Sequence, residues 1–362
     1  MTKAFFIILL SLISSKLLVA QEFGRLNILF VGDLMQHQGQ IDAALKTDGS
    51  YDYTPCFAYV KEEISRADIA IANLEVTLGG KPYRGYPQFS APDEYASAIK
   101  DAGFDVLLTA NNHCLDRRSK GLERTVHILD SLHIPYAGTY INMEERDKRY
   151  PLIIQKNGIR IALLNYTYAT NGINVQSPNI VNYIDKETIK KDIQKARASK
   201  ADVIIACMHW GIEYRLLPEK KERELAQWLI HQGVDHVIGS HPHVVQPLEV
   251  WPDAHTAARH LVAYSLGNFI SNMSATNTDG GLIVKLELQK IGHITRMAQC
   301  AYSMVWTSRP ILRTGGNYFI YPAANPPTTI NQAENNRLSF FLRNARNLFR
   351  NNNIGINEYF FK

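Results

Sequence analysis

The chain has 362 residues, a formal net charge of +5, 46% hydrophobic and 20% charged residues, proportions of an ordinary globular protein. So mild a basic surplus argues against a nucleic-acid binder built on a charged face. Four cysteines, Cys56, Cys114, Cys207 and Cys300, show no CxxC spacing and argue against a disulfide scaffold.

The chain opens MTKAFFIILLSLISSKLLVAQ, with Lys3 ahead of an apolar run from Ala4 to Ile13 and small or apolar residues up to Ala20. This pattern predicts a secretory signal peptide over residues 1–20, cleaved near Ala20–Gln21. The run is short for a membrane span and is interrupted by serines and Lys16. The expectation is export to the periplasm or cell surface, with an uncleaved membrane anchor as the alternative. Removing residues 1–20 takes away Lys3 and Lys16 and no acid, so the net charge falls from +5 to +3. The roughly 340 remaining residues are enough to bury a large core.

Short apolar or β-branched runs then alternate with helical patterns, which predicts a layered α/β fold. Predicted strands in chain order are Asn27–Gly32, Asp68–Asn73, Asp105–Ala110, Ile134–Gly138, the run LIIQ and Arg160–Tyr166. Asp202–His209, His236–Gly239 and Leu261–Gly267 come next, and GLIVKLELQ with HITRMAQCAYS predicts a closing antiparallel hairpin. Predicted helices are Thr54–Arg66, Asp93–Ala102, Lys120–Leu132, Lys186–Ala198 and Glu219–Gln232. The Pro- and Asn-rich stretch Tyr321–Gln332 reads as a linker, and Arg337–Arg350 as an amphipathic helix that packs through Leu338, Phe341, Leu342 and Leu348. The expected organisation is a domain over 25–320 and a C-terminal appendage over 321–362.

Polar residues gather where the predicted strands end. The first ends in Asp33 with His37 nearby, the second in Asn73 and Glu75, the third in Asn111, Asn112, His113 and Asp116. Later strands end in His209, in His241 and His243 within GSHPHVVQP, and in Asn268. Loops after parallel strands converge on one crevice, where α/β proteins bind ligands. Imidazole and carboxylate gathered together favour Mn, Zn or Fe over Ca or Mg.

The ordered motifs GDLMQH, NLEVTL, ANNHCLD, HWGIEY, GSHPHVVQP and YSLGNF resemble the bacterial capsule-synthesis proteins called CapA or PgsA, from about Asn27 to Asn268. That family is associated with poly-γ-glutamate capsules. It in turn resembles the calcineurin-like metallophosphoesterases, which implies an αββα sandwich holding two divalent ions. The resemblance implies metal ligands at Asp33, His37, Glu75, Asn112, His209, His241 and His243, with His241 and His243 serving different ions. Order and spacing further suggest His113, next to Asn112, as a leaving-group acid, with Asp116 three residues on to orient its ring. The pattern departs in two places: Asp33 and His37 are four apart where the esterases have two, and Glu75 stands where they have Asp.

The loop GGKPYRGYPQFSAP sets Lys81 and Arg84 among Tyr83 and Tyr86, a basic and aromatic rim suited to an anionic polymer or a small carboxylate or phosphate. Asn268 joins these as a candidate substrate contact. Three functions stay open: a metal-dependent hydrolase or transferase acting on an envelope polymer of poly-γ-glutamate type, a phosphoesterase, and a non-catalytic component of a capsule-synthesis membrane complex.

Overall fold

The computed structural model describes residues 23–253 and 256–361. The predicted signal peptide over 1–20 lies outside the described residues.

Strand Phe23–Leu34 alternates exposed and buried positions up to Asn27, and every residue from Ile28 onward is buried. A strand covered on both faces must run inside a layered structure. It is central to a nine-stranded sheet, with Ile69–Leu74, Val106–Leu108 and Tyr136–Ala137 running parallel to it on one side. On the other side Gly280–Ile291, Ile294–Ser308 and Phe319–Pro322 continue it in antiparallel. The predicted closing hairpin is therefore the long antiparallel wing of this sheet.

A second sheet has six strands, in the order Leu248–Pro252, Arg259–Ala263, His236–Ser240, Val203–His209, Ile159–Thr167 and Leu152–Lys156. Its four inner strands are parallel and its edge strands antiparallel. Phe30, Ile71 and Leu108 of the first sheet face Cys207, Met208 and Ile238 of the second. Parallel strands need helical crossovers, which lie on the sheet faces. Asp93–Asp101 and Arg118–Ser131 serve the first sheet, and Lys186–Ala198 and Lys220–His231 the second. Each buries an apolar stripe, such as Leu122, Val126 and Leu129, or Ile189, Ile193 and Ala196. The result is the four-layer αββα sandwich expected of the sequence.

Three expectations change. The predicted helix Thr54–Arg66 is two short helices, Thr54–Phe57 and Lys61–Ser65, and the break between them lets Phe57, Val60 and Ile64 all reach the core. The predicted strand Leu261–Gly267 is Arg259–Ala263 in the second sheet, after which the chain crosses to the first sheet and forms Asn268–Ile270 beside Phe23–Leu34. The predicted linker begins inside strand Phe319–Pro322. The C-terminal helix packs on the domain as expected: Gln332–Asn352 buries Leu338, Phe341, Ala345 and Phe349, and Asn357–Glu358 pairs with Ile294–Ser308. Leu342 and Leu348 are half-buried against the same core. No helix among the described residues is long and apolar enough to cross a membrane.

His236, inside the second sheet, has a fully buried imidazole whose Nδ1 accepts the Leu261 backbone N–H at 3.0 Å. Burial first, and then His260, lowers its pKa from 6.5 to about 3. A base depressed in the folded state contributes stability that is present above pH 6.5 and is lost as pH falls toward the folded value. His236→Gln removes that loss. In urea denaturation the stability difference between the two proteins should shift in favour of the variant by about 1.4 kcal/mol per pH unit below pH 6.5. Parallel stability curves would contradict the buried, neutral imidazole.

Candidate metal centre

The C-terminal ends of the parallel strands of both sheets meet at one place. Asp33 and Asn268 are register partners, as are Asp33 and Asn73, and His209 pairs with Ser240, which directly precedes His241. This meeting requires close backbone approach where the chain crosses between sheets. A Cβ at Gly32 would lie 1.9 Å from the Gly267 carbonyl oxygen, and Gly267 itself has φ +67°. Only glycine fits both conditions.

Asp33, Glu75, Asn112, His113, Asp116, His209, His241 and His243 are all buried. One set of ligand atoms, from Glu75, His241 and His243, lies within 4.8 Å of one another, and a second comprises Asp33, Glu75 and His209. Glu75 belongs to both. His209 Nε2 stands 3.6 Å and His243 Nε2 3.8 Å from Glu75 Oε1, while His243 Nδ1 is 3.5 Å from Asp33 Oδ2. The two histidines of GSHPHVVQP therefore share one set with Glu75 instead of dividing cleanly between two. The loop that carries them is strained on both sides of Pro242: His241 has φ +103° and His243 φ +58°. Such backbone costs on the order of 1–3 kcal/mol per residue and persists where surrounding structure fixes it.

The polar neighbours hold these rings in place. Asn73 Nδ2 donates to Asp33 Oδ1 at 2.8 Å and lies 3.3 Å from His209 Nδ1. His209 Nε2 meets Asn112 Oδ1 at 2.7 Å, and Asn112 Nδ2 donates to Asn171 Oδ1 at 3.1 Å. His113 Nδ1 bonds Asp116 Oδ2 at 2.7 Å, and the same oxygen accepts the Phe89 backbone N–H at 2.8 Å. Asp116 thus fixes the orientation of the His113 ring.

Burial dominates the electrostatics. It pushes the Glu75 carboxyl well above its usual range, with Asp33 adding to the rise. It pushes His209 well below, and His241 down to about 3, helped in each case by neighbouring histidines. Burial also acts to lower His243, but Asp33, with Glu213 and Asn268, outweighs it and holds that imidazole above 6.5. Asp116 is raised by burial against the opposing pull of His113.

The fit to a cation rests on unsatisfied atoms. Both carboxylate oxygens of Glu75 and Nδ1 of His241 are buried without a hydrogen-bond partner. A buried carboxylate lacking any donor is costly, and a cation satisfies it directly. With imidazole and carboxylate donors around it, the cavity fits a divalent transition metal.

Two expectations are corrected. His37 stands in neither ligand set: it caps helix Gln38–Ala44, its Nδ1 faces the Asn272 backbone N–H at 3.3 Å, and its ring meets Phe89 edge-on at 5.1 Å. Burial, opposed by the Gln40 hydrogen bond, lowers its pKa to about 4. Asn268 is fully buried, with Oδ1 3.0 Å from His243 Nδ1 and Nδ2 donating to the Thr278 carbonyl at 2.9 Å, so it orients a ligand instead of facing substrate.

Of the predicted rim residues, Tyr86 is linked to the centre through Phe89. Tyr86 is 75% exposed and meets Phe89 edge-on at 6.3 Å, and Phe89 meets His113 at 4.6 Å. Lys81 and Arg84 are exposed, with Lys81 6.0 Å from the Tyr83 ring, which packs on Tyr51. The sequence offers Asn73 only as a strand end and NYTYATNG only as a second, weaker rim candidate, yet Asn73 and Asn171 hold groups of the centre and the Tyr168 ring lies 4.5 Å from His241. The run NYTYATNG carries Tyr168 and Asn171, but nothing in it marks which side chains turn inward.

Comparison with known proteins bears on this geometry. Residues 27–273 match the family model described as bacterial capsule synthesis protein PGA_cap. The capsule biosynthesis protein CapA of Bacillus anthracis is 28% identical over 285 residues, covering 75% of this chain and 66% of that protein. The PGA biosynthesis protein CapA of Bacillus subtilis is 28% identical over 276 residues, covering 74% and 69%. The chain thus spans about two thirds of the length of these curated relatives. Among solved structures, the calcineurin-like phosphoesterase YfkN of Bacillus subtilis aligns over 91% of this chain and 99% of that one, with 16% identity and a TM-score of 0.48. The NAD nucleotidase of Haemophilus influenzae aligns over 93% and 58%, with 12% identity and a TM-score of 0.48. With the family model matched along most of the sandwich and across every strand end that supplies the centre, the chain belongs to the bacterial capsule synthesis protein family PGA_cap.

Proposed function

We propose that this protein is an exported, metal-dependent hydrolase or transferase of capsule or envelope polymer metabolism, acting on an anionic polymer of poly-γ-glutamate type. The observation that carries the reading is Glu75, a buried carboxylate without hydrogen bonds, shared by two sets of potential ligands. The name of the Bacillus subtilis relative, a PGA biosynthesis protein, suggests the polymer class.

Asp33, Glu75, Asn112, His209, His241 and His243 would hold the metal, with Glu75 common to both groups of ligand atoms. A bound divalent ion supplies Lewis acidity and a water acidic enough to act as nucleophile near neutral pH. The remaining work falls to the chain. His113, with Nδ1 held by Asp116, presents Nε2 as the proton donor to a leaving group. Phe89 packs on His113 and shields that proton from water. Lys81 and Arg84 on the exposed rim attract an anionic chain, and Tyr86 offers it a ring face.

The donor set also accommodates phosphoester chemistry. Assaying the protein loaded with Mn or Zn against γ-glutamyl polymers and against phosphate mono- and diesters separates the two. Turnover of the polymer alone is expected; turnover of phosphoesters alone would replace the amide reading, and a metal-loaded protein inert toward both would leave an assembly role.

Two variants test the parts. Glu75→Gln removes the orphaned charge, so the metal-free variant should be at least as stable as metal-free wild type, while the rise in melting temperature on adding Mn or Zn disappears. Retained metal-dependent stabilisation would contradict the role of Glu75. His113→Ala should retain bound metal and lose about 10²–10⁴-fold in kcat. An unchanged kcat would remove His113 from the reaction.

A further inference from the structure

The end of the molecule opposite the candidate centre carries a row of exposed apolar side chains. Strand Phe23–Leu34 begins there, beside the turn that joins Gly280–Ile291 to Ile294–Ser308. Phe23 and Ile291 are register partners, and so are Ile291 and Ile294. Directly opposed residues of antiparallel strands share a face, so these three side chains stand side by side. They are 62%, 45% and 57% exposed. Single apolar residues on a surface are ordinary, whereas a contiguous group marks a contact. The next row inward on the same face is Arg25, Gln289 and Arg296. Glu287 takes Arg25 at 3.1 Å, but no acid among the described residues pairs with Arg296.

The other face of this tip is basic. Lys290 precedes Ile291, and strand alternation turns it to the opposite side. There it lines a cleft of about 640 Å³ with Arg160, Lys200, Asp202 and His293. Lys290 neutralises Asp202 at 2.9 Å. The Arg160 guanidinium donates to neutral acceptors, the Ser199 carbonyl at 2.9 Å and Gln155 Oε1 at 2.8 Å. Lys200 is exposed and has no ion pair among the described residues. Arg160 and Lys200 thus leave the cleft with unbalanced positive charge. His293, next to Ile294 in the turn, joins the cleft to the apolar row.

We propose that this tip docks on a lipid bilayer bearing anionic headgroups, with Phe23, Ile291 and Ile294 entering the interface and Arg160, Lys200 and Arg296 meeting the lipid phosphates. A soluble anion would use the cleft and leave the apolar row in water. A second copy of this chain would cover the row and set its own cations against these. A bilayer satisfies both faces at once. The chain also enters the fold at this tip, and the sequence ahead of Phe23 carries the apolar run Ala4–Ile13. Strand Ile159–Thr167 runs from the cleft to the level of His209, so the candidate centre stands roughly 30 Å from the bilayer and faces away from it.

A tryptophan placed in the row tests this. Ile294→Trp in the full chain is bound to vesicles of phosphatidylcholine, alone or mixed equally with phosphatidylglycerol, whose brominated acyl chains quench indole on contact; the wild-type signal is subtracted. The readout is local, so it reports the tip whether or not residues 1–20 also hold the chain to the vesicle. Quenching is expected with phosphatidylglycerol present, and added salt should relieve it. Lys200→Gln and Arg296→Gln, each made beside the reporter, should lower the ratio of docked to free tip about fivefold. Ile291→Glu should abolish the quenching with melting temperature unaltered. Tyr86→Trp, at the end that holds the centre, should stay bright in the same vesicles. An unquenched reporter at position 294, equal quenching at both positions, equal quenching without phosphatidylglycerol, or charge variants without effect overturns the docking. So does a dimer in sedimentation that Ile291→Glu dissociates while the reporter stays clear of bromine, since the row is then a contact between copies.

Discussion

An acid with nothing to bond to organises this protein. Glu75 lies between the two sheets, its oxygens buried without a donor, facing His209 and His243 and close to Asp33. An ionised carboxylate in such a place costs several kcal/mol unless a positive group completes it, and a cation would do so. The strained backbone at His241 and His243 points the same way, since left-handed conformations at non-glycine residues persist where a function holds them.

The fold explains why such a site can exist. Each sheet is parallel at its middle, so its strand ends lie along one edge, and stacking two sheets brings two such edges together. Asp33, Glu75 and Asn112 come from one sheet, His209, His241 and His243 from the other. No single strand could surround a cation; the sandwich could, because its core packing, with Phe30 and Ile71 against Met208 and Ile238, fixes the spacing of the layers. Helix Gln332–Asn352 and strand Asn357–Glu358 close the far wing of the first sheet and stiffen the frame.

Much of this was legible beforehand, and for a definite reason. Apolar runs that end in Asp, Glu or His mark the place where a strand leaves the core and meets a ligand, so Asp33, Glu75, His209, His241 and His243 stood out by pattern. The crossing after Ala263 did not, because LVAYSLG is apolar throughout and hydropathy does not distinguish one sheet from its neighbour. The family pattern put His37 among the ligands and a strand-end position put Asn268 at the substrate, whereas Asn268 turns inward to His243 and His37 caps a helix. Tyr168, in the weaker rim candidate NYTYATNG, is shown beside the centre only by the fold, which sets its ring 4.5 Å from that of His241.

The most direct test is anomalous diffraction from crystals of the purified protein, recorded above and below the absorption edges of manganese, iron and zinc. The account predicts a strong peak within coordination distance of Glu75, bordered by imidazoles from His209, His241 and His243. Crystals that yield no anomalous density beside that carboxylate, from protein supplied with these ions, would contradict it.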